Sequence, residues 1–466
     1  MSGPGTEHES LRVAIVGAGP TGFYATDHLL RQAGLVVSID LFDRLPTPFG
    51  LVRAGVAPDH QKIKSVTAAF DKVAQHPRFR FFGNVELGRD LTVEDLRQHY
   101  HQILYATGAQ TDRRMGIPGE GLAGSHPATE FVAWYNGHPD YRDCRFDLDA
   151  ERVAVVGVGN VAVDVARILC RTPEELASTD IADYALEALR ASRVREVYLL
   201  GRRGPAQAAF TNPEVKELGE LADADITAVP EEVELDPVSR AAFERNPDRP
   251  TAKKIEILQG YARRASAGKT RRLVLRFLVS PVELVGDGAG HVTAMRLARN
   301  ELSATPTGAI QARATERIET LPVGLVFRSV GYRGVPLPGV PFNEKWAVIL
   351  NQKGRVLDPE TQQPLVGEYT AGWIKRGPTG VIGTNKPDAA ETVACMMEDR
   401  GRGATLQPPH PEAEAIEALV RQRQPAYFSY GDWLRLDELE VARGRALGRP
   451  RLKFTSVKEM LAALGR

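Results

Sequence analysis

The chain carries one demanding local pattern twice. Residues 11–30, LRVAIVGAGPTGFYATDHLL, run from an apolar stretch (13–16) through a turn with glycines at Gly17, Gly19 and Gly22. A helical pattern follows in Phe23, Ala25, Leu29 and Leu30, and a second apolar stretch (36–42) ends at Asp43. From residue 153, VAVVGVGNVAVDVARIL repeats the order: apolar 153–156, then Gly157, Gly159 and, in the third position, Ala162. Apolar residues at Val161, Val165, Ile168 and Leu169 then keep helical spacing. Strand, tight turn, helix, strand is the building unit of a doubly wound parallel sheet. The pattern predicts an α/β protein with two dinucleotide-binding (Rossmann-like) domains.

Each glycine has a reason. The first permits a tight turn, the second lets backbone approach a pyrophosphate, and the third lets helix and strand pack closely. The helix N-terminus behind them offers free N–H groups and partial positive charge to phosphate. Asp43 lies where a carboxylate accepts hydrogen bonds from ribose hydroxyls. Three glycines alone are a weak signal, since tight turns without a ligand use them too. The flanking strand, the helix and Asp43 make the first unit a nucleotide site.

In the second unit the following strand, REVYLLGRR, arrives late, because residues 171–192 are inserted and are expected to form extra helix. It ends in Arg202 and Arg203, where an NAD site would present a carboxylate. Two guanidinium groups suit the 2′-phosphate of NADP through paired charged hydrogen bonds; a solvated basic turn is the plainer alternative. Two nicotinamides in one chain would have nothing to exchange, whereas a flavin paired with a nicotinamide would. This logic assigns FAD to the first unit and NADPH to the second.

Three other stretches fit that frame. QILYATGAQ (102–110) and LVFRSVGYRG (325–334) each read as a strand running into a small turn at a return between domains. YTAGWIKRGPTGVIGTN (369–385) is rich in glycine where backbone would lie against a cofactor. Gly380, followed by Val381 and Ile382, is placed to open a helix whose N–H groups face a flavin. For Trp373, core packing and cofactor contact stand as equal readings.

Bulk properties narrow the partners. The chain has 466 residues, enough for two large domains, with 59 basic and 59 acidic side chains balancing to zero net charge. That balance argues against nucleic-acid binding by bulk charge. The 3 cysteines, Cys144, Cys170 and Cys395, form no C-x-x-C pair, so no dithiol, zinc ribbon or cysteine-held cluster is expected, and the 10 scattered histidines suggest no metal site. The N-terminus lacks a secretory pattern and no apolar run is long enough to span a membrane; a cytoplasmic location is expected, with an organelle matrix second.

Taken together, GAGPTGFYA, PFGLVRAGVAPDHQKIK, GVGNVAVDVARIL, GRRGPAQAAFT and GWIKRGPTGVIGTN resemble the adrenodoxin reductase family, above all its actinobacterial members. These are FAD-dependent ferredoxin–NADP reductases of the glutathione-reductase type. The resemblance covers nearly the whole chain and implies a flavin domain discontinuous in sequence: residues 1–108 and 329–466 for FAD, the latter with a C-terminal extension, and 109–328 for NADP. It implies that Thr21, Asp43, Leu51, Leu87, Trp373, Gly380, Val381 and Ile382 touch FAD. It implies that Gly159, Asn160, Val161, Ala162, Arg202, Arg203 and Glu214 hold NADPH. Thr21 stands where Ala or Ser is usual, and Asp43 replaces the commoner glutamate.

Glu214 sits oddly beside a phosphate; it reads either as a group orienting the arginines or ribose, or as an ordinary acid in the first turn of a helix. The resemblance places His60, Asp164 and Glu217 near the reacting rings as proton carriers. Their plainer readings are a loop histidine and two helix-surface acids. The implied reaction takes a hydride from NADPH and passes single electrons to a ferredoxin, which flavin suits because it is stable with one electron as well as two. An NADPH diaphorase or quinone reductase with no dedicated ferredoxin is the alternative. An acidic ferredoxin calls for a basic face, and the stretch 252–272, with Lys253, Lys254, Arg263 and Arg264, offers one; a solvated face is the simpler account. Near the C-terminus, Ser456 and Glu459 form a capping-box pattern for a last helix.

Overall fold

The computed structural model describes residues 4–6 and 9–466. Two parallel sheets organise it, each built around one of the glycine-turn units. In the first sheet Leu11–Val16 lies between Val37–Asp43 and Gln102–Tyr105, all parallel. Phe79–Gly83 extends it beyond Val37–Asp43, and Pro364–Thr370 joins beyond Gln102–Tyr105 before two short antiparallel strands complete seven. Every residue of Leu11–Val16 is buried, as expected of a central strand covered on both faces. This sheet is therefore assembled from two stretches distant in sequence.

The second sheet has six strands, all parallel, in the order Ser125–Pro127, Leu325–Arg328, Arg152–Val156, Glu196–Leu200, Arg271–Arg276, Ala224–Ala228. The insertion at 171–192 forms two helices, Pro173–Ala177 and Asp183–Arg190, the first held by a capping box between Thr172 and Glu175. Between the two bodies the chain crosses twice, and the crossings pair as a small antiparallel ribbon, Thr111–Asp112 with Tyr332–Arg333. A three-stranded antiparallel sheet, Val279–Gly286, Val292–Ala304 and Ile310–Pro322, projects from the second body.

The chain ends in three helices, Ala413–Arg423, Tyr430–Arg445 and Val457–Ala463. Phe428, Trp433, Leu436, Met460 and Leu464 insert into the core of the seven-stranded body beside Phe23, Phe49 and Phe70. Each such buried side chain contributes roughly 1.5–3 kcal/mol, so this tail is integral to the body. Ser456 accepts the Glu459 N–H as expected, but the Glu459 carboxylate turns to Thr455 N–H (3.1 Å) instead of closing the box. Among the described residues no helix is long and apolar enough to cross a membrane.

Candidate functional site

The first glycine turn is tight because it must be. A Cβ on Gly17 would lie 2.5 Å from Ala106 O, and one on Gly22 would lie 2.1 Å from Gly17 O. Gly17 also has φ +114°, which an L side chain avoids. A Cβ on Gly19, by contrast, meets nothing within 4 Å, so this glycine leaves space for something other than protein. Pro20 opens the helix Pro20–Leu30 and no side chain caps it, which leaves its N–H groups facing that space. Asp43 secures the turn: its oxygens accept Ala18 N–H (2.7 Å) and Leu45 N–H (2.9 Å). Burial raises its pKa against those two bonds, and each oxygen keeps a lone pair for a further donor.

A strained loop closes over this turn. Phe49 has φ +82° and Gly50 φ +49°, and Phe49 N–H donates to Ala18 O at 2.8 Å. A Cβ on Gly50 would come within 3.0 Å of Gly19 Cα; Leu51 then starts a short helix, Leu51–Ala54. Across the turn, the Thr21 side chain abuts Gly372, whose Cβ would lie 2.4 Å from Thr21 Oγ1. The next residue, Trp373, is half-buried: its Nε1–H donates to Thr379 O (3.1 Å) and its ring lies 5.5 Å from Tyr332. Gly380 (φ +79°) precedes Val381, which is 52% exposed, and Ile382, which starts a 3₁₀ turn before the helix Asn385–Gly401. The two distant stretches thus share one cleft. Leu87 lies in the core with Phe42, Phe82 and Val85.

The second turn repeats the first. A Cβ on Gly157 would lie 2.2 Å from Ser329 O, Gly159 is open, and Ala162 is fully buried against the sheet. Asn160 Oδ1 accepts Thr211 N–H at 2.9 Å, and Ala209 and Phe210 N–H both reach Val158 O. The loop after Arg202 and Arg203 is thereby folded back on the glycine turn, beside Val161. Arg202 is exposed and Arg203 half-buried, and neither guanidinium has a carboxylate partner among the described residues. Burial and the Arg202 charge push the Arg203 pKa down.

His60, Asp164 and Glu217 come together with Glu214 around a residue the sequence reading overlooked, Arg167. His60 Nε2 bonds Glu217 at 2.8 Å and lies 3.8 Å from Glu214, while Nδ1 is 3.9 Å from Asp164. The fully buried Arg167 guanidinium binds Asp164 (2.7 Å), Glu214 (3.3 Å) and both oxygens of Asp59 (2.8 and 3.0 Å). Arg171 adds a third bond to Asp59 at 2.7 Å. Burial raises Asp59, but the Arg167 hydrogen bonds outweigh it and hold that carboxyl well below the ordinary range. Burial dominates at Asp164 and Glu214, and both are raised. His60, Glu214 and Glu217 have the donor spacing of a cation site, but Arg167 already supplies the cation there.

Among the described residues Glu214, in the first turn of the helix Asn212–Glu217, pairs with Arg167 and His60 and forms no hydrogen bond with Arg202 or Arg203. Asp164 is 9% exposed and so is no surface acid.

Comparison with known proteins decides what such a pair of sites belongs to. A family model described as pyridine nucleotide-disulphide oxidoreductase matches residues 11–208. Human mitochondrial NADPH:adrenodoxin oxidoreductase is 41% identical over 475 residues, covering 99% of this chain and 93% of that protein. NADPH-ferredoxin reductase FprA of Mycobacterium tuberculosis is 45% identical, covering 96% and 98%. The chain belongs to the adrenodoxin reductase family of ferredoxin–NADP reductases. A solved structure of M. tuberculosis FprA in complex with NADPH superposes with a TM-score of 0.91 at 45% identity, covering 98% of this chain and 100% of that one. A probable ferredoxin/ferredoxin–NADP reductase of the same organism is 47% identical, and this chain spans 76% of its length.

In this reductase the basic stretch 252–272 is less free than its composition implies. Lys254 Nζ donates to Ala208 O (2.5 Å) over the Phe210 ring, and Arg264 donates to Gly219 O (2.8 Å). Lys253 pairs with Glu256 at 2.9 Å, and Arg263 is exposed. The signal for Arg167 was present: an arginine three residues after Asp164, within a run of otherwise apolar helix, has to find carboxylates inside the fold.

Proposed function

We propose that the chain is an FAD-dependent reductase that oxidises NADPH and delivers electrons singly to a ferredoxin, with residues 1–108 and 329–466 as the flavin-binding part and 109–328 as the nicotinamide-binding part. The observation that carries this reading is the contrast between the two turns. One has a half-buried carboxylate, Asp43, tied into it, and the other has two arginines with no carboxylate partner among the described residues. The open space at Gly19 and Gly159 fits a pyrophosphate at each, and the exposed Val381 beside Trp373 fits an apolar ring. Held at Gly19, Asp43 and the turn at 380–382, a flavin would supply the chemistry that links a two-electron hydride donor to a one-electron acceptor.

The chain's own residues then have distinct tasks. Gly159, Asn160, Val161 and Ala162 shape the phosphate cradle, and Arg202 with Arg203 selects the 2′-phosphate. His60 is fixed by Glu217 at Nε2 and faces Asp164 on its Nδ1 side, where it is placed to pass a proton. Four carboxylates share the cluster with two guanidinium groups, and burial together with neighbouring negative charge raises the pKa of Asp164 and Glu214. We assign ferredoxin docking to the helix face bearing Lys253 and Arg263, with Lys254 and Arg264 fixing that face to the nicotinamide-binding part. The cytoplasm is the proposed location, since three free cysteines suit a reducing compartment.

The test is direct. The purified protein should be yellow, be bleached by NADPH faster than by NADH, and be reoxidised by a ferredoxin; a colourless protein or one indifferent to ferredoxin would refute the reading. Reduction of the ferredoxin should slow as salt rises, because a charge-steered encounter is screened beyond about 8 Å at physiological ionic strength. Salt-independent turnover would remove the docking assignment alone.

A further inference from the structure

The C-terminal tail packs on the flavin-binding body, and residues 449–459, still tied to it through Arg451, Leu452 and Phe454, also lie against two loops of the nicotinamide-binding body. Lys453, whose side chain is 1% exposed, donates to Asn136 O (3.1 Å) and pairs with Asp180 (3.3 Å). Arg449 donates to Thr179 O (2.8 Å) and Ile181 O and pairs with Asp183 (2.5 Å). Arg142 meets Glu459 at 2.5 Å, and Thr455 comes so close to Gly137 that an added Cβ there would be 3.1 Å from its methyl.

The same carboxylate is gripped from the flavin side. Lys64 donates to both oxygens of Asp180, at 2.7 and 2.8 Å. Eleven positions earlier Arg53 forms a two-pronged pair with Glu440 of the tail (2.5 and 2.8 Å) and lies over the Trp433 ring. His60 sits between Arg53 and Lys64, and its neighbour Asp59 is held by Arg167 and Arg171 of the nicotinamide side. Beside Asp180 a cavity of about 230 Å³ separates Trp433, Lys64, Arg451 and Lys453. The bodies meet here through ion pairs and hydrogen bonds rather than apolar packing, so the contact depends on these few charges.

We propose that residues 449–459 act as a clamp that sets the nicotinamide-binding body against the flavin-binding body, with Lys453 and Arg449 as its positioning residues. Neither touches a nucleotide site. Their effect passes through Asp180 and the loop at 136–142 to the segment that carries His60. A shift of about 1 Å in the meeting of two reactants costs as much as a hundredfold in rate, so a small loosening here should be measurable.

Lys453→Met and Arg449→Met, each studied as flavin-loaded protein, test the clamp. Hydrogen exchange should quicken at residues 136–142 and 179–183 while Leu11–Val16 keeps its protection. The limiting rate of flavin reduction by NADPH should fall about tenfold or more, with oxidation of the reduced flavin by ferricyanide unchanged. Unaltered exchange and reduction rates would overturn the proposal. So would equal slowing of both half-reactions, which marks a displaced flavin instead of a lost register between bodies. Should either variant fail to fold, Arg142→Ala at the open end of the contact decides the matter, since it must quicken exchange at 136–142. The proposal rests on the hydride step assigned above, but the exchange measurement needs no NADPH. Failure of the unmodified enzyme to accept NADPH would therefore refute the function and leave the clamp to be judged separately.

Discussion

Arg202 and Arg203 are adjacent in sequence to the region of Glu214, yet the fold assigns them opposite tasks. Arg202 is exposed and Arg203 half-buried, neither with a carboxylate partner among the described residues, whereas Glu214 is buried against Arg167. Each charged hydrogen bond to a phosphate is worth roughly 1.5–3 kcal/mol, so Arg202→Ala with Arg203→Ala should cut the preference for NADPH over NADH about a hundredfold or more. Rapid-mixing reduction of the flavin with each nucleotide measures it; a double variant that keeps the preference would dismiss the arginines. Glu214→Gln should behave differently. It should leave the nucleotide preference intact and slow flavin reduction by both nucleotides alike, because Arg167 and His60 lose a charged partner. The arginine pair was legible from a strand end alone. Glu214's partner was not, because Arg167 lies on a separate helix whose orientation no local pattern reveals.

At the scale of elements, the two strand–turn–helix units were readable almost completely, since each is specified within about thirty residues by sterics. The glycines divide into two kinds that the sequence shows identically. Gly17, Gly22 and Gly157 are required by protein atoms, and Gly19 and Gly159 are not. Gly159→Ala should therefore fold normally and bind flavin normally, while its affinity for NADPH falls; equilibrium binding and thermal unfolding on the same sample separate the two effects. Gly22→Ala should instead lose the fold of the first unit, with a methyl 2.1 Å from Gly17 O. The projecting hairpin Val292–Ala304 and Ile310–Pro322 went unforeseen. Its outer strand is largely exposed and rich in charge, so the alternation that announces a half-buried strand is faint.

For the whole molecule, the junction between bodies governs how the parts act together, and it answers to acid. Burial raises the Asp180 carboxyl, but Lys453 and Lys64 outweigh that and hold its pKa at about 2. A carboxyl depressed on folding contributes stability above its ordinary pKa and loses it as pH falls through the folded value. The shift corresponds to roughly 2 kcal/mol. Denaturant unfolding should find Asp180→Asn less stable than the parent at about pH 6, with the gap closing as pH drops from about 4 toward 2. A gap that persists at the acid end would mean that Asp180 acts by shape and not by charge. The sequence by itself determined the two nucleotide units and their unlike charge, because turn sterics and a strand-end side chain are local properties. Only the tertiary structure decided that His60, Asp164, Glu214 and Glu217 share one guanidinium, and that the tail reaches Asp180. Apart from Asp164, one turn from Arg167, those contacts join positions 47 or more residues apart, and their existence depends on how two sheets and three C-terminal helices pack.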